Sequence, residues 1–320
     1  LPFMKDVTRE YMDCKDVEVA CHGETGYAYL AVFDKETWAP VDFARIEGGK
    51  AVFQDVGLNI VYLPVIFNSK GEQKAIGHPF LLEYDGHKRE FTADTLATEK
   101  LVLRRKYPAF PYVLPYAGRL VGAEIQASDS PDFEAADTLF RIMDGSALGH
   151  EIRIADTVRA YRYWRYIQPW HGTHCNIAEV AFYERGSHGE IRGTIIGTEG
   201  SWGNNPERTK EKAFDGDLLT YFDAPVHSGG WVGMDFGRPV SLEKVLCTPR
   251  GDGNTIEVGD RYELFYWADR HWVSLGEKVA ATVSLVYENV PVGTLYWLRN
   301  RTKGKDERIF TYEEGRQVWW

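Results

Sequence analysis

The amino-acid sequence predicts an all-β protein built from tandem β-sandwiches. Short runs of β-branched and aromatic residues recur along the chain, and Gly, Asn, Asp or Pro separates them. Few segments show the 3.6-residue apolar period of a helix. Because a sheet must bury one face against another layer, evenly spaced short strands indicate sandwiches or barrels. The runs that carry this prediction are 27–33, 41–46, 51–56, 60–67, 75–84, 161–167, 245–248, 262–267 and 294–299.

Length and turn chemistry predict where the domains begin and end. A chain of 320 residues favours two or three domains, at roughly 100–200 residues each. Pro108, Pro111 and Pro115 interrupt both helix and central strand, which marks a first boundary. The polar Gly/Ser stretch at 185–189 marks a second boundary. The predicted domains are 1–107, 108–187 and 188–320.

Charge and hydropathy exclude two classes of partner. The formal net charge is −10, from 37 Lys and Arg against 47 Asp and Glu. Without a basic cluster, such a chain is repelled by nucleic-acid phosphates and by anionic membranes. The longest apolar run, 60–67, is shorter than the ~20 residues that a membrane-spanning helix needs. We therefore expect no nucleic-acid partner and no membrane insertion.

The cysteines and the first residue give weaker indications. Cys14, Cys21, Cys175 and Cys247 are too few for a disulfide scaffold and have no zinc-binding CxxC spacing. Cys14 and Cys21 are close enough in sequence to form a disulfide if the chain turns between them; free thiols are the alternative. Leu1 stands where an initiator Met would, which indicates a processed form or a fragment.

Motifs beyond residue 190 occur in an order typical of one family. The motifs are 212–222 (KAFDGDLLTYF), 230–237 (GWVGMDFG), 248–254 (TPRGDGN), 259–266 (GDRYELFY) and 272–276 (WVSLG). Together they resemble the F5/8 type C (discoidin) domain, whose bacterial members include family-32 carbohydrate-binding modules. The resemblance implies a C-terminal discoidin-type (galactose-binding-like) jelly roll. The middle segment resembles an abbreviated copy of such a domain.

Two broader resemblances extend this interpretation. The pattern of 27–33, 38–42 and 49–57 is similar to small immunoglobulin-like or carboxypeptidase-regulatory-like sandwiches. The whole chain resembles the non-catalytic C-terminal part of multidomain Bacteroidetes proteins, some with transglutaminase-like catalytic regions. This implies a secreted protein in an extracellular, cell-surface or periplasmic location. It also implies a glycan ligand and a catalytic domain in the same parent protein.

One acidic loop is a candidate calcium site. Asp215, Asp217 and Thr220 surround Gly216, and a tight Gly loop can present carboxylates, carbonyls and a hydroxyl to a hard cation. The same residues also form Asx turns without metal. The family resemblance implies a structural calcium here, with a last-strand residue for which Glu307 is the candidate. Arg308 follows Glu307, where the family often has a glutamate.

Sugar recognition requires an aromatic platform and nearby polar groups. Trp202 is the best aromatic candidate, because it lies in a Gly- and Asn-rich loop; capping of a core edge is the alternative. Trp231, Trp267 and Trp297 lie in alternating strands and are expected to be core. The predicted ligand-binding residues are Trp202, Asn204, His227, Arg250, Asp252 and Asn254.

Three other motifs have competing interpretations. The segment 171–175 (HGTHC) is either a zinc cluster, a Cys/His nucleophile pair or a solvated loop. Arg159, Arg162 and Arg165 alternate with tyrosines, as in a sugar-acid platform or a structural strand with stacked surface residues. The tripeptide 250–252 (RGD) matches an integrin motif but also fits the family's turn. No GxGxxG, P-loop, HExxH or GxSxG motif is present.

Three functions remain open at this point. The first is a non-catalytic carbohydrate-binding module within a larger glycan- or protein-processing enzyme. The second is a structural spacer or protein-docking sandwich, which a buried Trp202 would favour. The third is an enzyme, which would require a concave site with convergent acids or an accessible Cys/His pair.

Overall fold

The computed structural model describes residues 9–170, 172–187, 189–304 and 307–320. Strands dominate the described residues, which confirms the all-β sandwich prediction. A short helix, α1 (Leu114–Gly118), and the 3-10 turns Trp202–Asn204, Pro206–Arg208 and Lys210–Ala213 accompany them. The strands are β1 (Cys14–Ala20), β2 (Tyr27–Asp34), β3 (Thr37–Glu47), β4 (Lys50–Gly57), β5 (Val61–Phe67), β6 (Gln73–Ala75), β7 (Phe80–Leu82), β8 (Lys88–Glu90), β9 (Asp94–Leu103), β10 (Glu124–Ser128), β11 (Asp137–Arg141), β12 (His150–Arg153), β13 (Tyr161–Gln168), β14 (Glu179–Glu184), β15 (Glu190–Ile191), β16 (Thr194–Gly197), β17 (Gly230–Val240), β18 (Leu242–Thr248), β19 (Arg261–Ala268), β20 (His271–Val279), β21 (Leu285–Val292), β22 (Tyr296–Asn300), β23 (Ile309–Glu313) and β24 (Arg316–Trp319).

The chain divides into two compact units. Unit 1 combines the described residues up to Pro108 with Gly259–Ala280 and Ser284–Trp320. Unit 2 contains Ala109–Val258 and the short segment Ala281–Val283. Unit 1 is therefore built from both ends of the described chain, and unit 2 lies between them in sequence.

Unit 2 is a sandwich of two antiparallel sheets. One sheet has the order β11-β10-β13-β17-β16, and the other has the order β12-β18-β14-β15. Trp164, Tyr166 and Phe182 are fully buried in its apolar core, together with Phe214 and Phe222 from the loops. Burial of these aromatic side chains holds the two sheets together. The loops that leave the strand ends are therefore presented from a rigid scaffold.

The predicted boundary at 187/188 is wrong. β13 pairs with β17, and β14 pairs with β18, so strands from both sides of residue 187 share each sheet. The Gly/Ser stretch is a turn within the sandwich, where the backbone N–H of Arg185 donates to the carbonyl oxygen of Ser241 at 2.8 Å. His188, within that stretch, lies outside the described residues. The middle segment is therefore half of one sandwich, and it is not an abbreviated copy.

The prediction of one domain over 188–320 is wrong for the same reason. Residues up to Val258 belong to unit 2, and Gly259 begins a return to unit 1. Within unit 1, β9 pairs with β21, so the N-terminal and C-terminal segments of this unit are hydrogen-bonded to each other.

Unit 1 contains an eight-stranded sheet and a five-stranded sheet, besides the β9–β21 pair. The larger sheet has the order β1-β4-β3-β2-β5-β7-β8, with β6 on β5, and the smaller has the order β20-β19-β22-β23-β24. An aromatic cluster joins them: Trp38 lies 5.5 Å from Trp267 between ring centroids, and Phe33 lies 5.2 Å from Trp297. Trp267 and Trp297 are buried, which confirms them as core.

Cys14 and Cys21 are free thiols in the structure. Cys14 begins β1 and Cys21 follows its last residue, so an extended chain separates them. At about 3.3 Å per strand residue, that separation far exceeds the reach of a disulfide.

No helix among the described residues is long and apolar enough to cross a membrane.

Candidate functional site

Trp202 lies at one loop end of unit 2 with half of its surface exposed (50%). Its backbone N–H donates to the carbonyl oxygen of Asp223 at 2.7 Å, and the Ser201 hydroxyl donates to the Asn205 carbonyl at 2.6 Å. Asn204, which is also exposed, has φ of 54° and reverses the chain in the left-handed region. These backbone contacts hold the turn, so the indole is presented to solvent on a fixed base.

Two histidines lie beside this indole. The His174 ring is 6.4 Å from the Trp202 ring and 4.4 Å from the His227 ring, between centroids. The Nδ1 of His174 is 3.1 Å from the Ala224 carbonyl, which can only accept, so Nδ1 carries the hydrogen. The backbone N–H of Gly172 donates to the His227 carbonyl at 2.8 Å, which ties the two histidine loops together.

A stack of arginines and tyrosines continues from Trp202. The guanidinium carbon of Arg208 is 5.9 Å from the Trp202 ring and 5.3 Å from the Tyr221 ring. Arg250 lies 4.1 Å from Tyr221 and 4.5 Å from Tyr116, and Arg119 lies 4.9 Å from Tyr116. We call Arg119, Tyr116, Arg250, Tyr221 and Arg208 the loop ladder. Each step is within the range of a cation–π contact.

The structure thus brings together three of the predicted ligand-binding residues: Trp202, His227 and, through the ladder, Arg250. Asp252 and Asn254 have another role. The Asp252 carboxylate accepts from the backbone N–H groups of Phe110 (3.3 Å) and Asn254 (3.1 Å). Asn254 is 3% exposed, so this predicted ligand residue is buried and cannot face a ligand in solvent. The RGD tripeptide is part of this turn, and its arginine is stacked between two tyrosines.

The acidic loop is closed by its own hydrogen bonds. The Thr220 hydroxyl donates to Asp215 at 2.9 Å, and the backbone N–H of Asp217 donates to the same carboxylate at 3.0 Å. Lys212 Nζ lies 3.3 Å from Asp215, and Asp217 accepts from the Leu219 N–H at 2.9 Å. Burial raises the pKa of Asp215, but these hydrogen bonds together lower it below the ordinary value.

The second carboxylate at this loop is Glu179, which the sequence analysis did not single out. Glu179 accepts from the Gly216 N–H at 2.7 Å and contacts Asp215. Burial, and then the neighbouring Asp215 carboxyl, raise the pKa of Glu179 to about 8. Glu307, the predicted partner, belongs to unit 1. There it accepts from the backbone N–H of Asn300 at 2.7 Å and from Trp297 Nε1 at 3.2 Å. The carboxylate that contacts the acidic loop is therefore that of Glu179 and not that of Glu307.

The described ranges hold no group of three or more His, Cys, Asp and Glu side chains arranged to bind a metal ion. His171 lies outside the described residues, so the HGTHC segment is described only from Gly172 onward. Cys175 is buried in the core, and burial raises the pKa of its thiol. A thiolate nucleophile is therefore disfavoured at this position.

The tyrosine–arginine strand predicted at 159–166 is β13 and the residues before it. Arg159 stacks 3.9 Å from Tyr161, Arg162 lies 5.0 Å from Tyr163, and Arg165 lies 5.2 Å from Trp231. We call Arg159, Arg162 and Arg165 with these three aromatic residues the sheet ladder. Trp231 is half-buried and packs on Phe133 at 5.3 Å. Each arginine also has an acceptor: Asp129 (2.6 Å), Asp235 (2.7 Å) and Gln126 (2.9 Å) respectively.

Comparison with known proteins leaves the chain without an assigned family. No family model and no curated protein matches it. One solved structure, of chicken CNTN1 FN1-FN3 domains, aligns over 96% of this chain and 92% of its own, at 12% identity and a TM-score of 0.15. The description of the fold therefore depends on the strand pairing within each unit.

The residues that the sequence analysis missed are Arg208, Tyr221, Tyr116, Arg119 and Glu179; His174 was considered there only as part of the HGTHC segment. Tyr221 and Arg208 flank the recognised acidic loop, so proximity to that motif could have indicated them. No sequence signal connects Tyr116 with Arg250, because α1 is remote in the chain from the turn that carries Arg250.

Proposed function

We propose that unit 2 is a non-catalytic carbohydrate-binding module. The observation that carries this proposal is the half-exposed indole of Trp202, held on a hydrogen-bonded turn beside His174, His227 and Arg208. An indole face covers the C–H face of a pyranose, and imidazole and guanidinium groups donate to its hydroxyls. A single exposed ring is common on protein surfaces, but this ring lies beside an imidazole and a guanidinium that can bind sugar hydroxyls.

The same proposal gives the setting of the module. From the resemblance of the whole chain to multidomain Bacteroidetes proteins, we propose a secreted or surface location beside a catalytic domain of the parent protein. The aromatic site lies on loops at a sandwich end, which is where binding residues concentrate on rigid scaffolds.

Calcium is proposed as a structural ion of the acidic loop. Asp215, Asp217, Thr220 and Glu179 offer only oxygen donors, which suit a hard cation. Glu179 and Asp215 hold two carboxyl groups in contact, and a dication would bind both. Lys212 now supplies positive charge to Asp215 and would have to give way. When bound, the ion would fix the loop and perform no chemistry.

A glycan array probed with the labelled full chain tests the proposed function. We expect binding that is lost in Trp202→Ala and kept in Tyr84→Ala, since Tyr84 is 70% exposed but lies in unit 1. Far-UV circular dichroism of both variants verifies folding. Binding that survives in Trp202→Ala, or its absence from the wild-type chain, would remove the proposal.

A further inference from the structure

The loop ladder carries positive charge that the surrounding protein leaves unpaired. The guanidinium groups of Arg119 and Arg250 lie on tyrosine rings. Across the ranges that the structure describes, neither group forms a hydrogen bond or an ion pair. A guanidinium presents five N–H donors in a planar fork. Both guanidinium groups therefore contact the Tyr116 ring, and neither has an acceptor among the described residues.

The carboxylates nearest to the ladder are already engaged. Asp223 lies 3.9 Å from Arg208, at the Trp202 end, and also accepts from the Asn176 amide. Asp252 follows Arg250 by two residues, but its oxygens accept from backbone N–H groups. A local excess of positive charge thus persists on a chain whose net charge is −10.

Arg250 is half-buried between Tyr116 and Tyr221. Partial burial removes water from its donors, and a tyrosine face supplies no hydrogen-bond acceptor in exchange for each N–H. A carboxylate or a sulfate ester can accept two parallel hydrogen bonds from one guanidinium. An oxyanion is therefore the ligand group that these donors match.

We propose that the unit 2 site takes an acidic glycan, in which a sugar carries a carboxylate or a sulfate ester. Trp202 stacks on a pyranose face, and Arg250 and Arg119, which lie further along the loop ladder, bind oxyanions of the same glycan. This inference rests on the proposed carbohydrate-binding function and names its substrate class.

Single-stranded nucleic acid also binds aromatic and arginine side chains. The ladder provides only three arginines, and the chain as a whole repels a polyanion. A glycan that carries separate acidic groups fits three arginines better than a continuous phosphate backbone does.

Isothermal titration calorimetry with matched probes tests the inference. The probes are an oligogalacturonate, its methyl ester, a sulfated galactan oligomer, its desulfated form, and poly(dT). The variants are Arg250→Gln and the exposed Arg119→Gln, with Arg159→Gln as control, because Arg159 also stacks on a tyrosine but is paired with Asp129. Circular dichroism confirms that each variant is folded.

We expect at least one acidic probe to bind about tenfold more tightly than its neutral form, and added salt to weaken only the acidic one. Arg250→Gln and Arg119→Gln each remove most of that difference between the acidic and neutral forms, whereas Arg159→Gln leaves the difference intact. The uronate and sulfate probes show which oxyanion is preferred.

Two results would overturn the inference, and only the second of them would also overturn the proposed carbohydrate-binding function. Equal affinity for acidic and neutral forms, lost in Trp202→Ala, would disprove acid selectivity and leave the carbohydrate-binding function standing. Binding of poly(dT) that depends on Arg250, without binding of any sugar, would remove both.

Discussion

Unit 2 carries two arginine–aromatic ladders, and they differ in what faces the guanidinium groups. In the sheet ladder, Arg159, Arg162 and Arg165 stack on aromatic rings and each also has an oxygen acceptor. In the loop ladder, Arg119 and Arg250 stack on tyrosine, and the part of the chain that the structure describes offers neither guanidinium an acceptor. Stacking alone therefore does not distinguish a structural arginine from a binding one. The presence of an acceptor distinguishes them, because a guanidinium already paired with an acceptor has fewer N–H donors available for a ligand.

Substitution of the tryptophan at each ladder should separate the two roles. Trp231→Ala removes a half-buried ring packed on Phe133 and Arg165, and should lower the free energy of unfolding by about 3 kcal/mol with unchanged glycan affinity. Trp202→Ala should change stability by less than about 0.5 kcal/mol and weaken glycan binding at least about tenfold. Urea unfolding and calorimetry measure both. A stable Trp231→Ala variant with lost affinity would reverse the assignment.

Glu124 holds the sheet ladder in place through Gln126, which is the hydrogen-bond acceptor of Arg165. It is buried and accepts from Arg141, and also from Gln126, the residue that holds Arg165. Glu124→Ala leaves these donors without their acceptor and should lower the free energy of unfolding by about 2 kcal/mol. Glu134→Ala is the matched control at an exposed site and should have almost no effect. Equal urea midpoints for the two variants would contradict a supporting role.

Calcium binding should stabilise the acidic loop of unit 2 and should not stabilise the strands of its sheets directly. At a free concentration ten times its Kd, a bound ion adds about 1.4 kcal/mol to stability. We expect differential scanning calorimetry to show a higher Tm with calcium, and Asp215→Asn to abolish the rise. Asp85→Asn is the matched control: it removes one carboxylate charge in unit 1, keeps a side-chain oxygen that can accept from the His87 N–H, and should leave the rise intact. Amide exchange should slow at residues 213–221 but not along β13. An unchanged Tm would argue for a metal-free turn.

The smallest expected effect concerns acid stability. The Arg162 guanidinium holds the pKa of Asp235 below its ordinary value. A lowered pKa in the folded state gives stability that is fully present above pH about 4 and is lost as the pH falls through the folded value. Arg162→Gln should flatten this acid limb in pH-dependent urea titrations. Arg250→Gln should leave the limb intact, since no carboxylate among the described residues pairs with Arg250; a flattened limb in that variant would show an ion pair.

The sequence predicted the strands well because their signal is local. Alternating apolar residues identified the runs at 27–33, 161–167 and 262–267, and all lie within β2, β13 and β19. It also identified Trp267 and Trp297 as core, whereas Trp231, expected to be core, is half-buried, and Trp202, for which a core-edge cap was the alternative, is half exposed. These properties depend on a residue and its immediate neighbours.

The errors arose where pairing is non-local. The return of the chain to unit 1 at Gly259 depends on partners such as Leu101 on β9, opposite Tyr287 on β21, and no local composition marks it. The carboxylate beside the acidic loop is Glu179, on a strand that precedes the loop, whereas family order had suggested Glu307. Spatial neighbours of this kind follow from sheet topology, which the sequence pattern did not determine.

The discontinuity of unit 1 has a consequence for biosynthesis. On the ribosome, residues 109–258 emerge before the strands that cover Trp38, so unit 2 can close while unit 1 is still incomplete. Until β19 and β22 arrive, the apolar face around Trp38 and Phe33 is open to solvent and to chaperones. A nascent chain arrested after residue 258 would carry one finished sandwich and one aggregation-prone half.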